Sequence, residues 1–468
     1  MNKNIKYLFI LSSLLVVASL TNCKKNNYED LGEKVEERTL NIFALNDFHG
    51  ATLYDERYSQ AGLSKIGNYL INQKTENKDN TIIINSGDMF QGGAESNITY
   101  GKEVIDIMNE IEFDSMTVGN HEFDWGEDKL YSFANDLNCD FLGFNVYYKN
   151  GNRPQYLKPS TCIYREGLKI GIIGAVQPGI ESSIVDYVAN NFNFPNQINE
   201  IKNEAQRLRN NNCDVVILSS HDGVPERYAP LEGYIDALFL GHEHEKLSGT
   251  LGSKLPYIEG ACNGEYLSKI SLDLKLNSNN RYEIKSFNYQ NINTFETFKE
   301  DNTRINEIIE EYEKTVAPIR DEVLYTFESS LTTKQFGDFI AKCLYTYGNN
   351  EFEKAVSLGC INFNGVRNVV PEGKFTYGDL IKVYPFENTF SLLKIEEKDY
   401  SYYRANSGFY RYYDGLLPVL DKDGFVYIAT IDYIAFKSAS PKVEMKNYSN
   451  ILCRDVIKNI LLSEGYSE

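Results

Sequence analysis

The 468-residue sequence predicts an α/β protein, and its length fits two or three domains. Three observations carry that expectation. Short runs that are apolar throughout, rather than alternating, recur from residue 40 onward, as strands buried on both faces require. Stretches with helical spacing separate several of them. Hydrophobic residues make up 42% of the chain, enough to fill cores, which excludes wholesale disorder.

The chain opens with Lys3 and Lys6, followed by an apolar run over residues 8–20. The run is shorter than the roughly 20 residues that span a bilayer. A basic start and a short apolar core read as an export signal over residues 1–22. The run ends Leu20-Thr21-Asn22-Cys23, which resembles a bacterial lipobox. Cys23 is thus expected to carry a lipid anchor, making the protein an exported, membrane-anchored lipoprotein, periplasmic or on the cell surface. Residues 23–37 are polar and poor in apolar side chains, as a tether is. No later segment reaches transmembrane length.

The buried-strand runs are residues 40–45 (LNIFAL), 81–85 (TIIIN), 115–118, 168–176 (LKIGIIGAV), 215–219 (VVILS) and 237–240 (ALFL). Helical spacing marks residues 66–73 and 198–210 between them. Residues 267–276 and 282–289 alternate, as antiparallel strands with one open face do. Ile305, Ile308, Ile309 and Tyr312 then recur at helical spacing within a charged stretch that ends near Pro318. The expected organisation is a first domain over 38–295, a linker helix within 296–324 and a second α/β domain over 325–468. In that last part, 334–347 reads as helix and 355–361 and 425–431 as strands.

Formal net charge is −19, which argues against a nucleic-acid polymer as partner, because phosphate neutralisation needs Lys and Arg. The eight cysteines (23, 139, 162, 213, 262, 343, 360 and 453) include no CxxC pair. Neither a zinc ribbon nor a dense disulfide scaffold fits.

The chemistry lies where the apolar runs stop. Past residues 40–45 come Asp47 and His49; past 81–85, Asp88; past 115–118, Asn120, His121 and Asp124; past 215–219, His221; past 237–240, His242 and His244. All five histidines occupy such positions. Residues just beyond the carboxyl ends of strands converge in α/β sheets. Asp47 and His49, two apart on an extended stretch, are expected to point the same way, and His242 and His244 likewise. Carboxylate, imidazole and carboxamide oxygen suit divalent zinc, manganese, iron or cobalt. Seven such donors (Asp47, His49, Asp88, Asn120, His221, His242 and His244) are too many for one ion and suit two.

The segments LNDFHG, NSGDMFQGG, VGNHEFDWG and GHEH, in this order, resemble the calcineurin-like metallophosphoesterases, and within them the bacterial UDP-sugar hydrolase/5′-nucleotidase family. The resemblance covers about residues 38–390. It implies a metallophosphoesterase β-sandwich flanked by helices, then a linker helix and a smaller α/β domain of 5′-nucleotidase type. It implies one metal on Asp47, His49, Asp88 and His244 and a second on Asp88, Asn120, His221 and His242, with Asp88 bridging. It assigns His121 and Asp124 as the catalytic dyad, with Asn120 beside the substrate. Position 244 is Gln or Asn in well-known members, and histidine is a competent replacement. Glu122 is expected to be structural, or to steady a ligand from behind.

The segment Asn362-Phe363-Asn364-Gly365-Val366-Arg367 resembles the family's N-x-G-x-R stretch, which makes Arg367 the substrate-binding arginine. Pro385-Phe386-Glu387-Asn388 resembles its P-F-x-N, which places Phe386 on one side of a nucleobase clamp. The Gly-rich loop that carries the other side in the family is absent here. Ile434-Ala435-Phe436-Lys437 follows the matching strand instead. The implied activity is removal of phosphate from extracellular or periplasmic nucleotides. The changed second domain keeps two other readings open: hydrolysis of another phosphoester, such as a nucleotide sugar or cyclic nucleotide, and a surface binding lipoprotein with an inactive site.

Overall fold

The computed structural model describes residues 33–467, apart from 185, 416 and 438. The expected signal, Cys23 and most of the tether lie outside the described residues. Among the described residues no helix is long and apolar enough to cross a membrane.

The amino-terminal domain is built on two six-stranded sheets. In the first, Glu37–Leu45, Thr81–Asn85, Ser115–Thr117 and Asp140–Leu142 run parallel. Tyr266–Leu276 and Tyr282–Asn293 extend it antiparallel beside Glu37–Leu45. In the second, Leu168–Val176, Val215–His221, Ala237–Phe239 and Leu255–Gly260 run parallel. Ser160–Arg165 and Lys246–Leu251 are its antiparallel edges.

The runs lack alternation because both faces of each sheet are covered. Leu40, Ile42 and Ala44 share a core with Ile170, Ile172, Ile217 and Phe239 of the other sheet. Phe43 and Leu45 point the opposite way, into Ile66, Leu70, Val104 and Met108 of the helices Gly62–Glu76 and Lys102–Ile111. Val216 and Leu218 pack on Ile201, Ala205 and Leu208 of the helix Ile198–Asn210. Each such side chain, fully buried, stabilises the fold by about 1.5–3 kcal/mol. The result is a β-sandwich flanked by helices, whose parallel strands from both sheets end at a common rim.

The linker helix runs over Thr303–Arg320. Asn302 caps it by accepting the Ile305 N–H at 3.0 Å. Pro318 does not end it, and lies inside the last turn. The second domain holds a five-stranded sheet in the order Phe409–Tyr412, Val356–Asn362, Phe425–Ile431, Thr389–Glu396, Glu444–Leu452. The helix Thr333–Glu351 packs on it and begins at a capping box between Thr332 and Gln335. The domains meet through Arg57–Asp379 at 3.1 Å and Lys382–Asp55 at 2.7 Å. Asn97 Nδ2 also donates to the Pro385 carbonyl at 2.7 Å.

Candidate metal centre and substrate cavity

The strand ends bring the expected donors together in two groups. Asp47, His49 and His244 form one and Asp88, His221 and His242 the other, with the ligand atoms of each group within 4.8 Å of one another. His49 Nε2 lies 3.1 Å from His244 Nε2, which lies 3.5 Å from Asp47 Oδ1. In the second group His221 Nε2 is 3.1 Å from Asp88 Oδ2. Asn120 Oδ1 joins at 3.1 Å from His221 Nε2 and 2.9 Å from His242 Nδ1.

Two of the imidazoles are oriented from outside. His49 Nδ1 lies 2.8 Å from the Gln91 carbonyl, and His221 Nδ1 lies 2.9 Å from the Ser86 carbonyl. A proton on each Nδ1 serves that carbonyl and turns Nε2 inward, the atom that would coordinate an ion once it carries no proton. The inward-facing nitrogen and oxygen atoms lie about 3 Å apart, and a cation would take the place of the protons they share, so the donor set fits divalent ions.

The backbone departs from the expected extended course. Asp47 and His49 have φ of 45° and 51°, and His242 and His244 have 89° and 59°. Left-handed residues turn the chain at each step, so the two-residue period of a strand does not apply. Asp47 and His49 still reach the same group, but His242 and His244 go to different groups. Asp88, at φ 54°, is a further left-handed ligand position. Each costs on the order of 1 kcal/mol or more, a strain typical of functional sites.

Glycines and one buried carboxylate hold these turns. A Cβ on Gly87 would lie 2.6 Å from His221 Nδ1, and one on Gly119 would lie 2.2 Å from Asp88 Oδ1. Glu122 is fully buried and accepts backbone N–H groups from Asp88 at 2.9 Å, Met89 at 2.8 Å and Gly119 at 2.7 Å. Burial and the nearby Asp88 push its carboxyl up to about 7. Glu122 therefore fixes the Asp88 turn, as its expected structural role requires.

The charges suit cation binding. Burial, together with the positive charge that His221 carries, takes His242 down to about 3, so this imidazole is neutral. Burial and Arg367 take His244 down to about 4. Burial opposes a charge on His221, yet Asp88 and Asp47 outweigh it and push the group up to about 10. The carboxylates call for positive charge at this point.

His121 stands one residue past Asn120, with Nδ1 2.8 Å from Asp124 Oδ2 and Nε2 4.0 Å from Asp88 Oδ2. Burial disfavours its charged form, but Asp124 and Asp88 overcome that and raise its pKa. The second domain delivers Arg367 to the same spot, with Nη2 3.2 Å from His121 Nε2. The Arg367 guanidinium lies 5.2 Å from the Phe386 ring centre, and that ring lies 5.6 Å from the His121 ring.

Between the domains lies a cavity of about 350 Å³, lined by Asp88, Asn120, His121, Asp124, His242 and His244 on one side. Arg367, Phe386, Asn388, Asp432 and Tyr433 line the other. Sequence reasoning did not single out Asp432 and Tyr433. They open the short helix Asp432–Phe436, which stands after the strand where the family's Gly-rich loop is absent. Asp432 accepts from Asn388 Nδ2 at 2.9 Å, and Tyr433 Oη donates to the Ser182 carbonyl of the first domain at 2.9 Å. The available signal was an aromatic just past a buried strand.

Comparison with known proteins agrees with this architecture. Residues 40–246 match the calcineurin-like phosphoesterase family, and residues 315–396 match the 5′-nucleotidase C-terminal domain. The chain is 23% identical to endonuclease YhcR of Bacillus subtilis, over 82% of this chain but 34% of that protein. It is 25% identical to an apyrase of Tabanus yao, over 79% of this chain and 73% of the apyrase. Its fold superposes on a 5′-nucleotidase precursor from Thermus thermophilus with a TM-score of 0.73, at 16% identity, covering 92% of this chain and 97% of that one. The order of motifs, the two donor groups and both domain matches coincide. The chain joins a calcineurin-like phosphoesterase domain to a 5′-nucleotidase carboxy-terminal domain, and is a metal-dependent phosphoester hydrolase.

Proposed function

We propose that this protein is an exported phosphohydrolase that removes phosphate from nucleotides. The observation that carries the reading is one cavity lined by members of both donor groups, by His121 with Asp124, and by Arg367 from the second domain. Asp47, His49 and His244, with Asp88 shared, would hold one ion. Asp88, Asn120, His221 and His242 would hold the other. Divalent ions bound there would acidify water at neutral pH and draw charge from phosphoryl oxygens.

The chain's own groups do the rest. Arg367 and His121 face each other at 3.2 Å, and a phosphoryl oxygen entering between them is an acceptor that both can serve. Asp124 keeps the His121 imidazole protonated and oriented, so Nε2 can stabilise the phosphoryl charge and supply a proton to the departing oxygen. Phe386 and Tyr433 offer aromatic surface for a base in the same cavity. The local positive charge offsets the repulsion that a chain of net charge −19 exerts on anionic substrates. The basic and apolar start and the Leu20-Thr21-Asn22-Cys23 sequence support export and a lipid anchor at Cys23.

A second cavity of about 250 Å³ supports a related reading. It adjoins His49, His244 and Arg367 and is lined by Tyr58, Gln60, Gln91 and Asn263. Tyr58 Oη and Gln91 Nε2 are buried there without a hydrogen-bond partner. A substrate with a hydroxylated group beyond the reacting phosphorus, such as a nucleotide sugar, would use both cavities.

Turnover of AMP, UDP-glucose, a cyclic nucleotide and a chromogenic phosphate ester, with manganese or zinc supplied, separates these readings. AMP is expected to be the preferred substrate. A preference for UDP-glucose would favour the second reading. Absence of all turnover with metal bound would leave a surface binding lipoprotein.

A further inference from the structure

Cys162 and Cys213 lie far from the metal centre, on the opposite side of the strand Leu168–Val176 from each other. Cys162 sits in the edge strand Ser160–Arg165, in register with Gly171. Cys213 precedes Val215–His221, and its backbone N–H bonds to the Leu208 carbonyl at 3.0 Å. Their sulfurs approach to 3.6 Å. Gly171 makes this approach possible. A Cβ there would lie 3.3 Å from Cys213 Sγ and 2.9 Å from Leu208 Cδ1, crowding the space beside the two sulfurs.

The two thiols differ in the way a stepwise oxidation requires. Cys162 is partly exposed and Cys213 is fully buried. The contact with Cys213, with support from Lys169 and Arg207, brings the Cys162 thiol down to about 7. The same contact and burial push Cys213 up. An accessible attacking thiolate thus sits beside a protected resolving thiol.

We propose that Cys162 and Cys213 are a redox pair that closes to a disulfide, tying the edge strand to the strand that carries His221. The oxidant is an external disulfide, such as oxidised glutathione or an oxidised dithiol protein. The Cys162 thiolate attacks one of its sulfurs, forming a mixed disulfide and releasing one thiolate. Cys213 attacks the Cys162 sulfur and passes its proton to the departing sulfur, forming the internal bond and releasing the second thiol. The pair gives up two protons and two electrons, and the external disulfide becomes two thiols. The closed loop spans 51 positions, so the cross-link restricts the unfolded chain more than a short loop would.

The test is independent of substrate. The full chain is equilibrated with oxidised and reduced glutathione at graded ratios, alkylated, digested and analysed by mass spectrometry. The expected product joins the peptides containing 162 and 213 and is lighter by two hydrogens than the reduced pair. The oxidised protein should melt above the reduced one. Cys162→Ser should abolish both effects, and Cys139→Ser should leave both in place. Cys162 is partly exposed, so its serine variant is expected to fold even where Cys213→Ser does not. Alkylation of both thiols at every ratio, glutathione left unresolved on Cys162, or linkage of either thiol to another cysteine would overturn the proposal.

Discussion

Glu122 shows how much the metal centre depends on a residue that touches no substrate. Its two oxygens serve three buried N–H groups: Oε2 takes those of Asp88 and Gly119, and Oε1 takes that of Met89. In Glu122→Gln the amide oxygen can replace Oε2 and keep two of these bonds. The amide nitrogen then faces the Met89 N–H across 2.8 Å, donor against donor. One buried N–H loses its partner, at a cost of about 1–3 kcal/mol, and the other two lose their charge-assisted character. Asp88 already holds a left-handed φ of 54°, so the turn relaxes by shifting the ligand. Changes behind a metal ligand typically weaken binding by about 10- to 100-fold. Glu122→Gln is therefore expected to lower metal affinity by about that factor, measured by dialysis against buffered zinc or manganese, and to melt several degrees lower. Wild-type affinity together with an unchanged melting curve would refute this account of Glu122.

Other outcomes follow from the same geometry. His121→Ala should reduce kcat by about 10²- to 10⁴-fold with metal content preserved, and full activity in that variant would remove the dyad from the mechanism. His121 acts in its protonated form, and Asp124 helps hold its pKa up, so activity falls as pH rises through that pKa. Asp124→Asn should move this alkaline limb of kcat/KM to lower pH, and an unmoved limb would contradict the assignment. Phe386→Ala and Tyr433→Ala should raise KM for nucleotides more than for a small chromogenic ester, by the roughly 1–3 kcal/mol of a base stack. Equal effects on both substrates would argue against base stacking.

Glu103 is buried with neither oxygen hydrogen-bonded, and burial followed by Glu95 and Glu313 pushes it up to about 9 from 4.5. The folded chain keeps a proton that the unfolded chain loses, so between these pH values stability falls as pH rises. Glu103→Gln removes that slope and should stabilise the protein by up to about 3 kcal/mol at pH 7. Urea unfolding at pH 5 and pH 8 measures it, and parallel pH dependence in both proteins would exclude the effect.

The donors could be read in the sequence because each follows an apolar run whose lack of alternation marks a strand buried on both faces. Leu40, Phe43, Val216 and Leu218 show why: one side of each strand meets the opposite sheet and the other meets helices. Helix ends were legible too: the linker helix, expected to end near Pro318, ends at Arg320. Thr332 and Gln335 fix the start of Thr333–Glu351 through bonds that lie in the sequence as a capping pattern.

Local sequence decided which residues could bind cations and activate a proton donor, because residue type and position past a strand are local properties. Spacing alone did not decide how those residues divide between two ions, a division that only the motif resemblance implied. The left-handed turns at Asp47, His49, Asp88, His242 and His244 are held by distant backbone and by Glu122, and they override the two-residue period of an extended chain. Nor could the sequence pair Tyr433 with Phe386, or Cys162 with Cys213. The first two reach one cavity through packing within the second domain, and the cysteines meet across a strand that passes between theirs, so both depend on packing in three dimensions.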